Sequence, residues 1–234
     1  DADGEVDSVV TLEGDYDIDA FNVTDMGTGT GITYEPERAT VPCFTPRSLV
    51  MTKRGLVPAG DIREGDLLVT RDHGYQPVNW IGRRALSRDE LSRGTHLAPI
   101  LIRRGALGDG IAERDMMVSP QHKMLWMSAS SSLFYGDPEV FVAAKHLTYL
   151  PGIEPIVPDR VIYLHFLFDQ HEVVLADGAW SESFNPGRNV ITGMDKDQST
   201  ELLELFPDFR GKQKSPAFLS ARRSLKRHEV MLLA

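Results

Sequence analysis

From Ser48 to Ile81 the chain alternates short apolar runs with turn signals, and this punctuation restricts it to a mostly β architecture. Ser48-Leu49-Val50-Met51-Thr52 leads into Lys53-Arg54-Gly55, and Leu56 to Ile62 into Arg63-Glu64-Gly65-Asp66. Leu67-Leu68-Val69-Thr70 leads into Arg71-Asp72-His73-Gly74, and Tyr75 to Ile81 completes the series. Runs this short, bounded by glycine and charged residues, build sandwiches and barrels. Pro58 and Pro77 place their strands at an edge or a bulge, because proline donates no ladder hydrogen bond. Further strands are expected over Leu97 to Ile102, Met116 to Ser119, His122 to Met127, Val140 to Ala144, Val161 to Phe168 and Glu172 to Ala176. Helix signals are weak before residue 195; after it Asp197 to Leu205 and Pro216 to Leu233 are candidate helices, with Ser215 as an N-cap before a first-turn proline.

The charge is divided unevenly. Residues 1–42 hold eleven acidic side chains and one base, Arg38, whereas the remaining 192 residues carry 24 basic and 23 acidic groups. The first segment is therefore a different kind of polypeptide, read as an acidic arm with a flexible Gly27-Thr28-Gly29-Thr30-Gly31 stretch. Val9-Val10-Thr11-Leu12 and Ile18 to Val23 are short strand candidates within it. Its opening Asp1-Ala2-Asp3-Gly4-Glu5-Val6-Asp7 is similar to a calcium loop but lacks the EF-hand spacing and the closing Glu, so a solvated acidic segment is the preferred reading. At the other end, Lys212, Lys214, Arg222, Arg223, Lys226 and Arg227 form a basic tail. It is read as a solvated face rather than a nucleic-acid surface. No apolar run approaches the 18 residues of a membrane span. A 41% apolar composition is enough for a core.

The single cysteine excludes a disulfide framework and a multi-cysteine zinc site. Cys43 stands where the acidic arm ends, in Val41-Pro42-Cys43-Phe44-Thr45-Pro46. A lone cysteine is by default a small buried hydrophobe. Its company is unusual, however. Downstream come Thr52-x-x-Gly55, Gly65-Asp66-x-Leu68, Asp72-x-Gly74 and Val118-Ser119-Pro120-Gln121-His122, and then Tyr163-x-His165, Asp169-x-His171 and Ala176-Asp177-Gly178.

In this order the motifs resemble the Hint domain, the self-cleaving module of hedgehog proteins and inteins, and most closely the bacterial hedgehog/intein-like group. The resemblance implies a Hint fold of curved, pseudo-symmetric sheets in a horseshoe-like arrangement, followed by a short helical tail. It implies an N-terminal acidic segment over residues 1–42, an autoprocessing domain over 43–187 and a basic tail over 188–234. It also suggests a secreted or cell-surface bacterial protein.

What the resemblance implies chemically is an N-to-S acyl shift. Cys43 would attack the carbonyl of Pro42 and turn the Pro42–Cys43 peptide bond into a thioester. The hard step is the departure of an amine, which needs a proton donor and a polarised carbonyl. Ser119 and His122 match the family's Thr-x-x-His motif, with Ser in place of Thr. His122 would protonate the Cys43 nitrogen, and Ser119 would orient the scissile bond. In the late motif Tyr163 and His171 match inteins in spacing, but the intein aspartate falls on Leu164. His165 is the expected substitute, assisted by Asp169. If the strand runs on, residues 165, 167, 169 and 171 share one face.

The C-terminal junction departs from the intein pattern. The terminal His-Asn pair falls on Glu182 and Ser183, which cannot form a succinimide, and Asn185 is followed by Pro186. Cleavage or transfer without splicing is therefore expected. The substrate would be the chain's own N-terminal segment, and the acyl acceptor water, a thiol or an amine. Arg47 replaces the glycine common after Cys-Phe-x-Pro and would strain a turn needing positive φ. Three other readings stay open: a cysteine hydrolase acting in trans, an inactive Hint-fold interaction domain, and a zinc site built from Cys43, His122 and His165 that would block the nucleophile. No cofactor is expected.

Overall fold

The computed structural model describes residues 21–25, 30–34, 42–108, 110–185 and 219–233. The chain divides into two units, residues 1–38 and 39–234. In the first, β1 (Phe21–Asp25) and β2 (Thr30–Tyr34) form an antiparallel hairpin with Phe21 opposite Tyr34. The expected Ile18 to Val23 strand thus overlaps β1, and Gly31 lies within β2. The candidate strand Val9 to Leu12, the acidic opening and the candidate helix Asp197 to Leu205 lie outside the described residues.

The second unit is mostly β. β3 (Leu49–Thr52), β4 (Gly55–Pro58), β5 (Leu67–Thr70) and β6 (Gly74–Pro77) follow the expected punctuation. Gly55 and Gly65 close two of the turns at φ +93° and +88°, a region that suits a residue without Cβ. Among the described residues β4 pairs only with β3 and β6 only with β5, which puts Pro58 and Pro77 on edge strands. The run after Gly74 breaks at Val78-Asn79. It resumes as β7 (Trp80–Ser87), an eight-residue strand longer than its apolar signal.

The remaining strands are β8 (Ile100–Ile102), β9 (Met116–Val118), β10 (Lys123–Met127), β11 (Glu139–Ala143), β12 (Ile153–Pro155), β13 (Arg160–Leu167), β14 (Val173–Ala176), β15 (Ala179–Glu182) and β16 (Arg223–Leu225). A nine-stranded sheet runs β16-β11-β10-β15-β14-β3-β5-β6, with β4 beside β3. β12-β8-β9 form a second sheet, and β13 pairs along its whole length with β7. Phe44 stitches these last two together, bridging Val118 on β9 and Leu164 on β13. Two main cores result. One gathers Ile102, Val118, Met124, Val142 and Leu147, and the other Phe44, Val50, Leu68, Leu164 and Phe166.

Three expectations about secondary structure and strain are corrected. Two short helices precede residue 195: α1 (Arg88–Arg93), capped by Ser87 with Glu90, and α2 (Ala129–Tyr135), capped by Ser128 with Ser131. The tail helix expected over Pro216 to Leu233 does not span its described part. Residues 223–225 are β16, laid parallel on β11, and only α3 (Arg227–Val230) is helical. Arg222 explains the strand: it bonds Asp72 and Glu139, and Arg71 also bonds Glu139, which fixes the tail to the sheet edge. Arg47, finally, is not strained, because the only non-glycine residues with positive φ among the described residues are Ala112 and Asp177.

Candidate active site

Alternation along the chain decides what Cys43 meets. Phe44 points into one core, so its neighbours Cys43 and Thr45 turn to the opposite face. Cys43 is 5% exposed and packs with Leu86, Leu91, Val161 and Tyr163. Across the stitch, Leu164 is buried with Phe44, and His165 turns to the Cys43 side. The position where inteins carry aspartate is therefore a core leucine, and the next residue along reaches the Cys43 thiol.

His165 Nε2 lies 3.1 Å from Cys43 Sγ, and His165 Nδ1 lies 2.5 Å from the carbonyl oxygen of Pro42. A carbonyl oxygen only accepts, so Nδ1 carries the hydrogen and donates it. In the neutral ring Nε2 then holds the lone pair, and the thiol donates to it. One imidazole thus bridges the Cys43 thiol and the carbonyl oxygen of the peptide bond that precedes it. Burial pushes the His165 pKa down to about 3; its bond to the Pro42 carbonyl works the other way, and His122 adds to the depression.

The Ser-x-x-His spacing is a β-turn. The His122 amide donates to the Ser119 carbonyl, with Pro120 and Gln121 at the corners. Ser119 stands opposite Cys43: its amide donates to the Cys43 carbonyl at 3.0 Å, and its Oγ accepts the Cys43 N–H at 2.9 Å. The Cys43 nitrogen is therefore held by Ser119. His122 is fully buried, packs edge-on against the Phe44 ring at 4.4 Å, and has no hydrogen-bond partner at either ring nitrogen among the described residues. Burial is the main cause that takes its pKa down to about 4. The expected bond from His122 to the Cys43 nitrogen does not form, because the turn carries its ring to Phe44.

Asp169 and His171 leave the site. β13 ends at Leu167, so the shared face expected for residues 165 to 171 is lost. Asp169 is exposed and accepts from Asn79 Nδ2 at 2.7 Å. His171 is buried against Phe141, and its Nδ1 accepts from the Ala221 amide at 3.1 Å and faces Asn185 Nδ2 at the same distance. Its Nε2 stands 3.4 Å from Glu182. Glu182 is fully buried and accepts from both the backbone and the Nζ of Lys123, each at 3.0 Å. Ser183 Oγ accepts the Glu172 amide. Glu182 and Ser183 are thus engaged, the first in an ion network and the second in a pair with Glu172 across the β14–β15 ladder. Tyr163 is buried and donates to the Leu97 carbonyl. Among the described residues no three His, Cys, Asp or Glu side chains converge to hold a metal ion, so the Cys43–His122–His165 zinc set is not assembled.

Both buried histidines tie stability to pH. In the unfolded chain each takes up a proton near pH 6.5, whereas in the fold each stays neutral to about pH 4 or below. The unfolded state then binds more protons, so stability falls as the pH drops from 6.5 toward 4, with a slope that approaches about 3 kcal/mol per pH unit for the two groups together. His73, raised by Glu172 but half exposed, opposes this weakly. Urea unfolding at pH 7, 6 and 5 should show the slope, and His122→Phe should remove about half of it.

The family model for the Hint domain matches residues 42–188. Comparison with curated proteins finds no match. Among solved structures, the gp41-1 intein is 12% identical with a TM-score of 0.36, over 61% of this chain and 98% of its own. A bacterial intein-like domain from Clostridium thermocellum is 12% identical with a TM-score of 0.38, over 60% and 97%. No helix of the described residues is long and apolar enough to cross a membrane.

Proposed function

The chain belongs to the Hint domain family, and from that membership we propose a single-turnover self-processing reaction in which Cys43 takes the acyl group of Pro42. The observation that carries this reading is the neutral His165 ring between Cys43 Sγ and the Pro42 oxygen. The Cys43 thiol attacks the Pro42 carbonyl carbon through a five-membered ring. Its proton passes to His165 Nε2 as the new C–S bond forms. The carbonyl oxygen becomes an oxyanion, stabilised by the Nδ1 hydrogen and by the positive charge the ring has just gained. The C–N bond then breaks. The Cys43 nitrogen keeps its own hydrogen and receives the proton from Nε2, so it leaves as a neutral amine and His165 returns to its starting form.

Burial shapes the timing of this step. A thiol is a much weaker acid than an imidazolium with a pKa of about 3, so the resting pair stays uncharged. The proton moves only as negative charge grows on the oxygen beside Nδ1, which is how differential stabilisation of a transition state operates. Ser119 Oγ orients the nitrogen by accepting its hydrogen. Replacing Ser119 with Ala should slow cleavage about tenfold, the loss of one hydrogen bond. Threonine there should retain the rate, read from cleavage time courses.

Residues 1–42 are in this reading the released or transferred segment, 43–187 the processing domain and 188–234 the tail. Water, a thiol or an amine resolves the thioester. Splicing does not follow, since Glu182 and Ser183 replace the cyclising pair. A substrate added in trans is disfavoured because the thiol is buried and already faces its own chain's carbonyl. Hydroxylamine tests the reading: it should release residues 1–42 with a hydroxamate on Pro42. Release of the same product from the Cys43→Ala chain would contradict it.

A further inference from the structure

We propose that Phe184 is a positioning residue for His165, its ring laid against the imidazole so that Nε2 stays on the thiol and Nδ1 on the Pro42 carbonyl. The inference rests on the role just given to His165. Phe184 follows β15 and is 3% exposed. Its ring meets the His165 ring edge-on, with centroids 5.6 Å apart and planes at 64°. Trp80 backs it at 6.1 Å. The backbone that carries Phe184 is fixed on both sides. Its amide donates to the Phe166 carbonyl at 2.9 Å, and the preceding Ser183 exchanges two hydrogen bonds with Glu172. The aromatic wall is therefore held by the strand that carries His165 and by the start of β14.

The chemistry needs such a wall. An imidazole that must donate from one nitrogen and accept at the other works in one ring orientation only, and a flip about its last torsion puts carbon atoms at both partners. The torsion is intrinsically broad, so neighbours must define it. An aromatic edge against the ring restricts the flip and excludes water from the charge that develops on it. Burial is the largest influence on His165 and disfavours the imidazolium, His122 adds to it, and the Pro42 carbonyl works the other way. Dry packing is thus the main reason the ring rests uncharged.

The test uses Phe184→Ser, Phe184→Leu and Phe184→Tyr in the full chain, with two readouts. The first is the nuclear magnetic resonance titration of His165 in the Cys43→Ala background, where no cleavage can occur. Serine should admit water and move the His165 midpoint above about pH 5, while leucine and tyrosine keep it lower. The second is the cleavage rate with a small thiol, with Cys43 intact. Serine and leucine should each slow it about tenfold or more, and tyrosine should restore it to within about twofold. If the serine variant fails to fold, leucine decides: an unchanged melting temperature with about tenfold slower cleavage supports the proposal. A folded serine or leucine variant with an unchanged His165 titration and an unchanged rate overturns it. A shifted titration with no cleavage in any variant, the parent included, supports the positioning and overturns the self-processing reading instead.

Discussion

If Cys43 self-processes as proposed, replacing His165 with alanine should lower thiol-triggered cleavage at Pro42–Cys43 by at least about a thousandfold, because one substitution would remove both the proposed base and the proposed oxyanion donor, each worth about a hundredfold or more. Asparagine at the same position separates the two. Its amide can donate to the Pro42 oxygen in place of Nδ1 but cannot take the thiol proton. His165→Asn should therefore cleave faster than His165→Ala and more slowly than the parent chain. It should also gain more from a rise in pH, since a thiolate formed in solution no longer needs the ring. Time courses of fragment formation between pH 6 and 9 check both statements. Equal rates for alanine and asparagine would mean that the Nδ1 contact contributes nothing.

Replacing Glu182 with alanine destabilises the second unit by about 3–5 kcal/mol, the range for breaking a buried ion pair and leaving its partner behind. Burial pushes the Glu182 carboxyl up, but Lys123, His171 and His122 together outweigh it and hold it below the usual carboxylate range. Its contribution is therefore present above about pH 4.5 and is lost as the pH falls through the folded value. The variant leaves the Lys123 amide and Nζ without their acceptor and loosens His171, which holds the Ala221 amide. Glutamine should cost less, because it can still accept the Lys123 amide hydrogen. Thermal and urea unfolding at pH 7 measure the loss. An alanine variant as stable as the parent would show that Lys123 and His171 find other partners at little cost.

Much of the β architecture was legible in the sequence because local chemistry dictates it. The glycines of the early turns, the two edge prolines and the apolar runs between them place β3 to β6 within a few residues. The capping boxes of α1 and α2 were also local signals, in Ser87-x-x-Glu90 and Ser128-x-x-Ser131, but both helices are only six or seven residues long, too short for a periodic apolar pattern. β16 was not legible. Its three residues become a strand through β11 and through Arg222, partners about eighty residues away.

The site divides the same way. Cys43, Ser119 and His165 sit in short motifs whose spacing carries over, and period two alone turns His165 away from the core once Leu164 is inside it. The orientation of His122 was not readable, since it depends on where the Ser119 turn throws the ring against Phe44. Asp169 and His171 were misplaced because the sequence does not mark the end of β13 at Leu167. Phe184 lay beyond motif reasoning altogether, as one apolar residue among ten phenylalanines with nothing local to tie it to His165.

Intact mass over time tests most directly whether Cys43 forms a thioester with Pro42. The purified chain, Cys43→Ala and His165→Ala would each be held at neutral pH with and without a small thiol. Fragments of 42 and 192 residues are expected, the smaller ending in a thioester to the added thiol or in the free carboxylate left by hydrolysis. They should form faster with thiol, be absent in Cys43→Ala and be strongly suppressed in His165→Ala. A folded parent chain that stays whole under thiol, or fragments that form equally in Cys43→Ala, would contradict thioester formation.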